Sequence, residues 1–292
     1  MVTGAGGFIG STVSRVFLGA GWHVTGVVRR RAVHPESRQA GLQCVVTDLR
    51  ECTELPKRYD ALVHCAAEVP AYCPDEQELV HSNVEGTRCI LLHAQSAGAR
   101  CVVYMSSMAA YGRVSVPVVD EATEPDAPDA YGWSKAAGEA LLDDWARRTG
   151  GAGVSIRLPG VVGAGGRNNF LCDAYENVIA AQPVRARNPD AMFNNVIHVR
   201  DLASFVIALF TTMSRGHEIL TIAARDAISI REVLAQLYSA AKREQQIIWE
   251  DGGRAPFVIS FDRALALGYQ PATVVQSIRR FVADAWAERP CA

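Results

Sequence analysis

An excess of charge of either sign is missing from this sequence: 29 Lys and Arg stand against 31 Asp and Glu, a formal net charge of −2. So even a balance argues against an electrostatic grip on nucleic acid and against a chain too charged to collapse. Long hydrophobic runs are missing as well. The longest, residues 202–210, contains Ser204 and falls well short of the roughly 20 residues that cross a bilayer. No membrane association is therefore expected. The eight cysteines are scattered without a C-x-x-C pair, so neither a metal site nor a disulfide framework is expected, and a reducing, cytoplasmic compartment is the natural reading. No basic and apolar leader segment stands before the first glycine motif. Internal repeats and low-complexity tracts are absent too.

What is present is an ordinary globular composition, 49% hydrophobic over 292 residues, enough for two domains or one large α/β domain with a smaller lobe. Short β-branched runs at 22–28, 43–46, 61–64, 100–105 and 154–158 read as strands. Between them, 7–19, 75–97 and 131–148 have helical spacing, with Asp75 and Glu76 where a helix N-terminus favours acid. This alternation predicts an α/β fold, a doubly wound parallel sheet covered on both faces. Past Pro159 the pattern loosens into Pro-, Gly- and Asn-rich loops. Residues 1–159 are therefore read as the sheet domain, to which some later segments return, and 160–292 mainly as a substrate-binding lobe. Ser229 to Glu232 spells a capping box, and 273–288 a closing amphipathic helix. Only Met1, Val2 and Thr3 precede Gly4, so the first strand is unusually short for a central position. Either upstream residues complete it or the fold uses a short one.

Three groups of residues point to chemistry. Gly4, Gly7 and Gly10, in Thr3-Gly4-Ala5-Gly6-Gly7-Phe8-Ile9-Gly10, permit a tight strand-to-helix turn and close approach of a pyrophosphate to a helix N-terminus. The spacing is G-x-x-G-x-x-G, not the G-x-G-x-x-G fingerprint. About 20 residues on, where an acid would hold a ribose 2′-hydroxyl, stand Arg29, Arg30 and Arg31. An arginine binds a 2′-phosphate that an acid would repel, which favours NADP over NAD, with Arg29 as the main contact. Asp48 is the expected acceptor for an adenine amine, and its neighbour Leu49 is assigned to the cofactor with it. Lastly, Tyr131 and Lys135 stand four apart on one face of a helix, and Ser107 lies 24 residues before Tyr131 at the end of a strand. An ammonium beside a phenol lowers its pKa and suits it to proton exchange.

With these residues in place the chain resembles the extended short-chain dehydrogenase/reductases, the NAD(P)-dependent epimerase/dehydratase family. The matching segments are TGAGGFIG (3–10), DLRE (48–51), DALVHCAA (60–67), NVEGT (83–87), VVYMSSMAAYG (102–112), YGWSK (131–135), RLPGVVG (157–163), HVRDLA (198–203) and LGYQP (267–271). They run in the family's order over nearly the whole chain. The resemblance implies a Rossmann-type NAD(P) domain with a C-terminal substrate lobe, and a homodimer through helices 75–97 and 131–148. It implies that Tyr131 is the general acid/base, Lys135 its activator and ribose ligand, and Ser107 the hydroxyl that orients substrate. Ser107 is preferred to Ser106 because the family's hydroxyl sits four residues before a Y-G pair, here Tyr111-Gly112. Gly4, Gly7, Phe8, Ile9 and Gly10 would line the pyrophosphate and Ala66 and Ala67 would back the cofactor. Asn83 would sit near the nicotinamide ribose, and Pro159 with Gly160 would flank the carboxamide.

Departures from the family pattern bear on substrate. Met108 and Ala109 follow Ser107 where the family's dehydratases carry Asp and Glu, which argues against a dehydratase. Asn194 stands where 4-epimerases carry an arginine for the substrate pyrophosphate, leaving Arg185, Arg187 or Arg225 to compensate. Asn168 and Asn169 fall in a loop where the family contacts substrate; each asparagine is equally readable as a loop amide. His64, His198 and Cys65 read as core or strand-end residues, and the acidic stretch 120–129 as a mobile loop bordering the site, suited to a lid. The leading expectation is an NADP-dependent reductase acting on a keto group of a small-molecule substrate, sugar-like or a nucleotide-sugar. An NAD-dependent nucleotide-sugar 4-epimerase is the alternative, and a redox-silent NADP-binding scaffold or sensor is the alternative from another class.

Overall fold

The computed structural model describes residues 1–29, 42–52, 54–253 and 255–287. Arg30, Arg31 and Cys291 lie outside the described residues, as does Glu288 at the expected end of the closing helix. Seven parallel strands form the main sheet: β1 (Val2–Thr3), β2 (Val24–Val28), β3 (Leu42–Val46), β4 (Ala61–His64), β5 (Cys101–Ser107), β6 (Ala152–Leu158) and β7 (Gly216–Thr221), in the order β7-β6-β5-β4-β1-β2-β3. The order reverses between β1 and β4, which opens a crevice at the C-terminal strand ends of the kind where open α/β sheets take their ligands.

Helices cover both faces: α1 (Phe8–Gly19), α2 (Glu76–Ser96), α3 (Ala130–Thr149), α4 (Phe170–Ile179), α5 (Val199–Thr212), α6 (Ile230–Ala240), α7 (Asp262–Ala266) and α8 (Val274–Ala287). The two-residue period of a strand divides the core. Val63, Val103 and Met105 face a cluster shared with α1 and α5. Leu62, Val102 and Tyr104 face the opposite cluster under α2 and α3. The polypeptide leaves the sheet at Leu158, and residues 160–162 pair instead with 196–198. A separate core of α4, α6 and α8 fills the lobe. α5 and β7, which follow the expected boundary at Pro159, return to the sheet.

The helix ends follow local chemistry. Asp75 caps α2 through Gln77 N and Glu78 N, Asp129 caps α3 through Gly132 N, and Ser229 with Glu232 completes a capping box at α6. The short β1 is bonded on both sides, Val2 standing opposite Gly26 and Val63. Its ladder continues beyond the strand, from Val63 N to Met1 O at 2.9 Å and from Ala5 N to Val27 O at 3.2 Å.

The acidic stretch 120–129 corrects the expectation of a mobile lid. Arg113 N donates to Asp126 O at 2.7 Å and Asp126 N to Tyr111 O at 2.8 Å. Glu121 accepts from both Thr221 N and Thr221 Oγ1 at 2.9 Å. Together with the α3 cap these bonds pin the stretch along its length. No helix of the described residues is long and apolar enough to cross a membrane.

Candidate active site

The glycine turn sets up an anion site at the N-terminus of α1. Gly4 has φ +65, and a Cβ there would stand 2.8 Å from Ala66 N, so the turn closes on the segment after β4 only with glycine. Gly7 is the helix N-cap; no side chain caps the first turn and no acid lies in it. The first N–H groups of a helix have no intrahelical partner, and here they remain available to an anion. Gly10 is buried directly beneath Gly4. Phe8 and Ile9 pack their side chains against the core.

A cavity of ≈ 250 Å³ extends from this turn along the strand ends, lined by Gly4, Gly7, Arg29, Asp48, Leu49, Ala66, Ala67 and Asn83 among others. The structure thus gathers eight of the residues expected from sequence into one crevice. It also adds Arg50 and Glu68, which the sequence reading missed. Arg29 is ion-paired to Glu68 instead of standing free for a phosphate. Asp48 is held by Arg50 through Nε and the backbone N at 3.0 and 2.9 Å and through Nη2 at 2.8 Å. Those bonds keep the Asp48 carboxyl below the usual carboxylate range and occupy three of its roughly four acceptor positions. Asn83 is committed to the fold: its Oδ1 accepts from Glu68 N at 2.7 Å, and its Nδ2 donates to Ser134 Oγ at 3.0 Å.

Beneath the cavity runs a buried polar chain. Thr3 Oγ1 lies 2.6 Å from His64 Nδ1, and His64 Nε2 lies 3.0 Å from Thr87 Oγ1. Burial, with the Lys135 charge nearby, pushes His64 down to about 3, so the ring is neutral. No group of three or more His, Cys, Asp and Glu that could hold a metal ion occurs among the described residues.

Ser107 ends β5, and its Oγ accepts from Ala109 N at 3.1 Å. Tyr131, in the first turn of α3, stands near enough to the Ser107 hydroxyl for that group to act on its phenol. The helix reaches this depth because Gly132 lies against the carbonyl of Ala109, where any Cβ would overlap the oxygen. Lys135 is 3% exposed with its ammonium 4.4 Å from the centre of the Tyr104 ring. Burial lowers it to about 8, opposed by Cys65 and Glu139. Cys65 and His64 line the cavity, so Lys135 lies just behind its wall.

Burial raises the Tyr131 phenol, the Ser107 hydroxyl lowers it and Asp129 raises it, while the ammonium of Lys135 acts on His64 and Cys65.

The lobe residues separate clearly. Asn194 corrects the expectation of a substrate contact: its Nδ2 donates to Ile259 O at 2.8 Å and its Oδ1 accepts from Ile259 N at 2.9 Å, so the amide substitutes for a strand partner. Asn169 likewise caps α4, accepting from Cys172 N at 3.1 Å and donating to Val161 O at 3.0 Å. Asn168 is exposed with a left-handed φ of 61. A second cavity of ≈ 480 Å³ has Phe170, Phe193, Arg185, Arg187, Asn195 and Glu250 in its wall. Arg185 and Arg187 share Glu250 at 3.0 and 2.8 Å, and the buried Asn195 Oδ1 has no hydrogen-bond partner among the described residues. Arg225 pairs with Asp226 outside this wall. The route from the first site is short in sequence: Ser107 stands opposite Leu158, Pro159 follows, and Gly160 N donates to Asn195 O at 3.2 Å.

Comparison with known proteins bears on all of this. Residues 1–223 match the NAD dependent epimerase/dehydratase family. The chain is 27% identical over 315 residues to a UDP-glucose 4-epimerase of Streptomyces lividans, covering 98% of this chain and 94% of that one. It is 26% identical to a D-erythronate dehydrogenase of Cupriavidus necator, covering 98% of each. The crystal structure of a UDP-glucuronic acid 4-epimerase from Bacillus cereus in complex with NAD superposes with a TM-score of 0.84 at 19% identity, covering 97% of this chain and 95% of that one.

The neutral His64 makes stability pH-dependent with a definite sign. Its folded pKa lies below the ordinary value of about 6.5, so below that pH the unfolded chain binds the proton first. Stability is then expected to fall by about 1.4 kcal/mol per pH unit from about 6.5 downward. Urea unfolding of the wild type and His64→Asn at pH 7 and pH 5 tests this; an equal pH dependence in both would count against it.

Proposed function

The chain belongs to the NAD dependent epimerase/dehydratase family, whose members are NAD(P)-dependent oxidoreductases and epimerases, and we propose that it reduces a keto group of a sugar-like, nucleotide-activated substrate. What supports the reading is that the Tyr131 phenol stands near Ser107 and Lys135 lies one turn further along α3, behind the wall of a crevice shaped for a dinucleotide. The residues present fit such a cofactor: a helix N-terminus with open N–H groups faces the pyrophosphate, and Lys135 lies behind the wall where a ribose would rest.

A bound nicotinamide supplies the hydride. The work of the protein is to hold and move a proton. The Tyr131 phenol, kept protonated at neutral pH by its burial, donates to the carbonyl oxygen as negative charge develops there. Ser107 offers its hydroxyl to the same oxygen and so orients it. Lys135 holds the ribose and places positive charge behind the reacting centre. The lobe cavity receives the rest of the substrate: two arginines sharing one glutamate leave a surplus positive charge that suits phosphate groups, and the orphaned Asn195 oxygen awaits a donor.

A second reading is a nucleotide-sugar 4-epimerase. The Streptomyces relative and the NAD-bound Bacillus structure favour it, and the same three residues would serve by removing and returning one proton. For the cofactor we favour NADP. Arg29 stands at the end of β2, where the ribose 2′ group of a bound dinucleotide lies, and its ion pair with Glu68 must open to take a phosphate. We also infer a homodimer, since Leu92 on α2 and Trp133 on α3 are large, apolar and exposed. A reducing cytoplasm as its compartment accords with the free thiols of the described cysteines.

A first assay combines the protein with NADH or NADPH and keto-sugar nucleotides, and in parallel with UDP-glucose or D-erythronate plus the oxidised cofactors. Absorbance follows the dinucleotide and chromatography follows the sugar. Tyr131→Phe should lower turnover by about 10²-fold or more while cofactor affinity stays within a few-fold; retained turnover removes the acid/base assignment. Arg29→Ala should weaken NADPH about tenfold or more and NADH little, as read by fluorescence titration; equal losses would remove the 2′-phosphate contact. Leu92→Asp or Trp133→Asp should halve the mass in sedimentation, and unchanged mass in both would exclude this interface.

A further inference from the structure

Behind the three reacting groups lies an ion pair that proton transfer does not itself require. Glu139 and Arg157 are 4% and 5% exposed, and Glu139 Oε2 accepts from Arg157 Nη2 at 2.7 Å. Such a pair is a poor source of stability, because stripping two charges of water costs about as much as their attraction returns. Its placement is more informative. Glu139 lies one turn beyond Lys135 and two beyond Tyr131, on the same face of α3. Its Oε1 accepts from Ser106 Oγ at 2.5 Å and from Arg157 Nε at 2.9 Å. Ser106 immediately precedes Ser107, and Ser106 and Arg157 stand opposite each other in the register of β5 and β6. Arg157 also covers the Tyr111 ring at 4.3 Å, and the Tyr111 hydroxyl donates to Asp120 O at 2.6 Å. One carboxylate thus ties the helix bearing Tyr131 and Lys135 to the strand bearing Ser107 and to the strand that leads into Pro159.

We propose that Glu139, with Arg157, is a positioning residue for Ser107, Tyr131 and Lys135, and is the counter-charge that keeps Lys135 an ammonium. The proposal rests on the acid–base reading of those three groups. The groups acting on Lys135 are the Tyr104 ring, His64, Cys65 and Glu139. His64 is neutral, and burial pushes the Cys65 thiol up to about 12, so near neutral pH Glu139 is the one anion among them. On its other sides Glu139 acts on Tyr104, Tyr111 and His217. Burial raises both phenols and lowers the imidazole, so all three are uncharged there. With burial already holding Lys135 near 8, losing this charge brings its deprotonation into the working range.

The sequence makes the charge of Lys135 directly measurable, because its only other lysines are Lys57 and Lys242. Trace acetylation with acetic anhydride across a pH series, read by peptide mass spectrometry, reports its titration without any substrate. Glu139→Gln should move the Lys135 midpoint down by about one pH unit and leave NADPH affinity within about threefold. With a turned-over substrate, kcat should fall by about tenfold or more and its alkaline limb should shift the same way. An unmoved Lys135 midpoint in a folded, cofactor-binding Glu139→Gln protein overturns the counter-charge role. Ser106→Ala leaves the ion pair intact and deletes only the bond to the strand bearing Ser107. It should cut kcat by about fivefold or more at an unchanged Lys135 midpoint, and wild-type kcat overturns the positioning role. Turnover surviving Tyr131→Phe would instead sink the acid–base reading itself, so the two failures are distinct.

Discussion

The site depends on how closely α3 can press against β5 and the turn that follows it. A helix normally stands off the elements it packs against by the depth of the side chains between them. Here Gly132 lies against the Ala109 carbonyl and Gly138 against the Tyr104 ring, so the helix comes close enough to bring the Tyr131 phenol near the Ser107 hydroxyl. That approach forces polar groups inside. Ser134, Lys135 and Glu139 are 0%, 3% and 4% exposed, and each would be costly without a partner. Ser134 donates to Tyr131 O at 2.8 Å and accepts from Asn83. Lys135 has the Tyr104 π face, and Glu139 has Arg157 and Ser106. The reacting geometry and the buried polar network are consequences of one packing decision.

Asn83 extends that coupling to the cofactor crevice. Its amide bonds the backbone of Glu68 in both directions while donating to Ser134, so the segment after β4 and helix α3 are tied to one side chain. Glu68 in turn holds Arg29. The rim of the crevice is therefore charged but locally neutralised, with Asp48 and Arg50 paired alongside. A phosphate arriving there would take the place of Glu68 on Arg29. The lobe cavity has the opposite balance: Arg185 and Arg187 share one glutamate, and an acceptor oxygen waits unpaired.

Much of this was legible from one-dimensional pattern. The short β-branched runs marked most of the sheet strands because strands buried on both faces must be apolar throughout. Asp75 and Ser229 marked helix starts because a helix leaves N–H groups that short polar side chains satisfy. The four-residue spacing of Tyr131 and Lys135 placed both on one helical face, and eight expected cofactor residues gathered in one crevice. The asparagines were not legible in this way. Asn169 and Asn194 have the same side chain whether it caps a helix, substitutes for a strand partner or meets a ligand, and only the neighbours in space, Cys172 and Ile259, decide. The stretch 120–129 misled for a similar reason: acids and prolines suggest a loop, but its anchors at Tyr111 and Thr221 are distant or unmarked in sequence.

By itself, the sequence determined what depends on near neighbours: the βα alternation, the glycine turn at the start of α1, the helix caps and the Tyr131–Lys135 spacing. These follow from backbone geometry within a few residues. Only the tertiary structure decided that Lys135 faces Tyr104 and the wall of the crevice, that Arg29 is held by Glu68, and that Glu139 pairs with Arg157 behind the site. A charge buried in a protein is governed by whichever groups surround it in space, and strands 40 to 60 residues apart in the chain become neighbours only when the sheet forms.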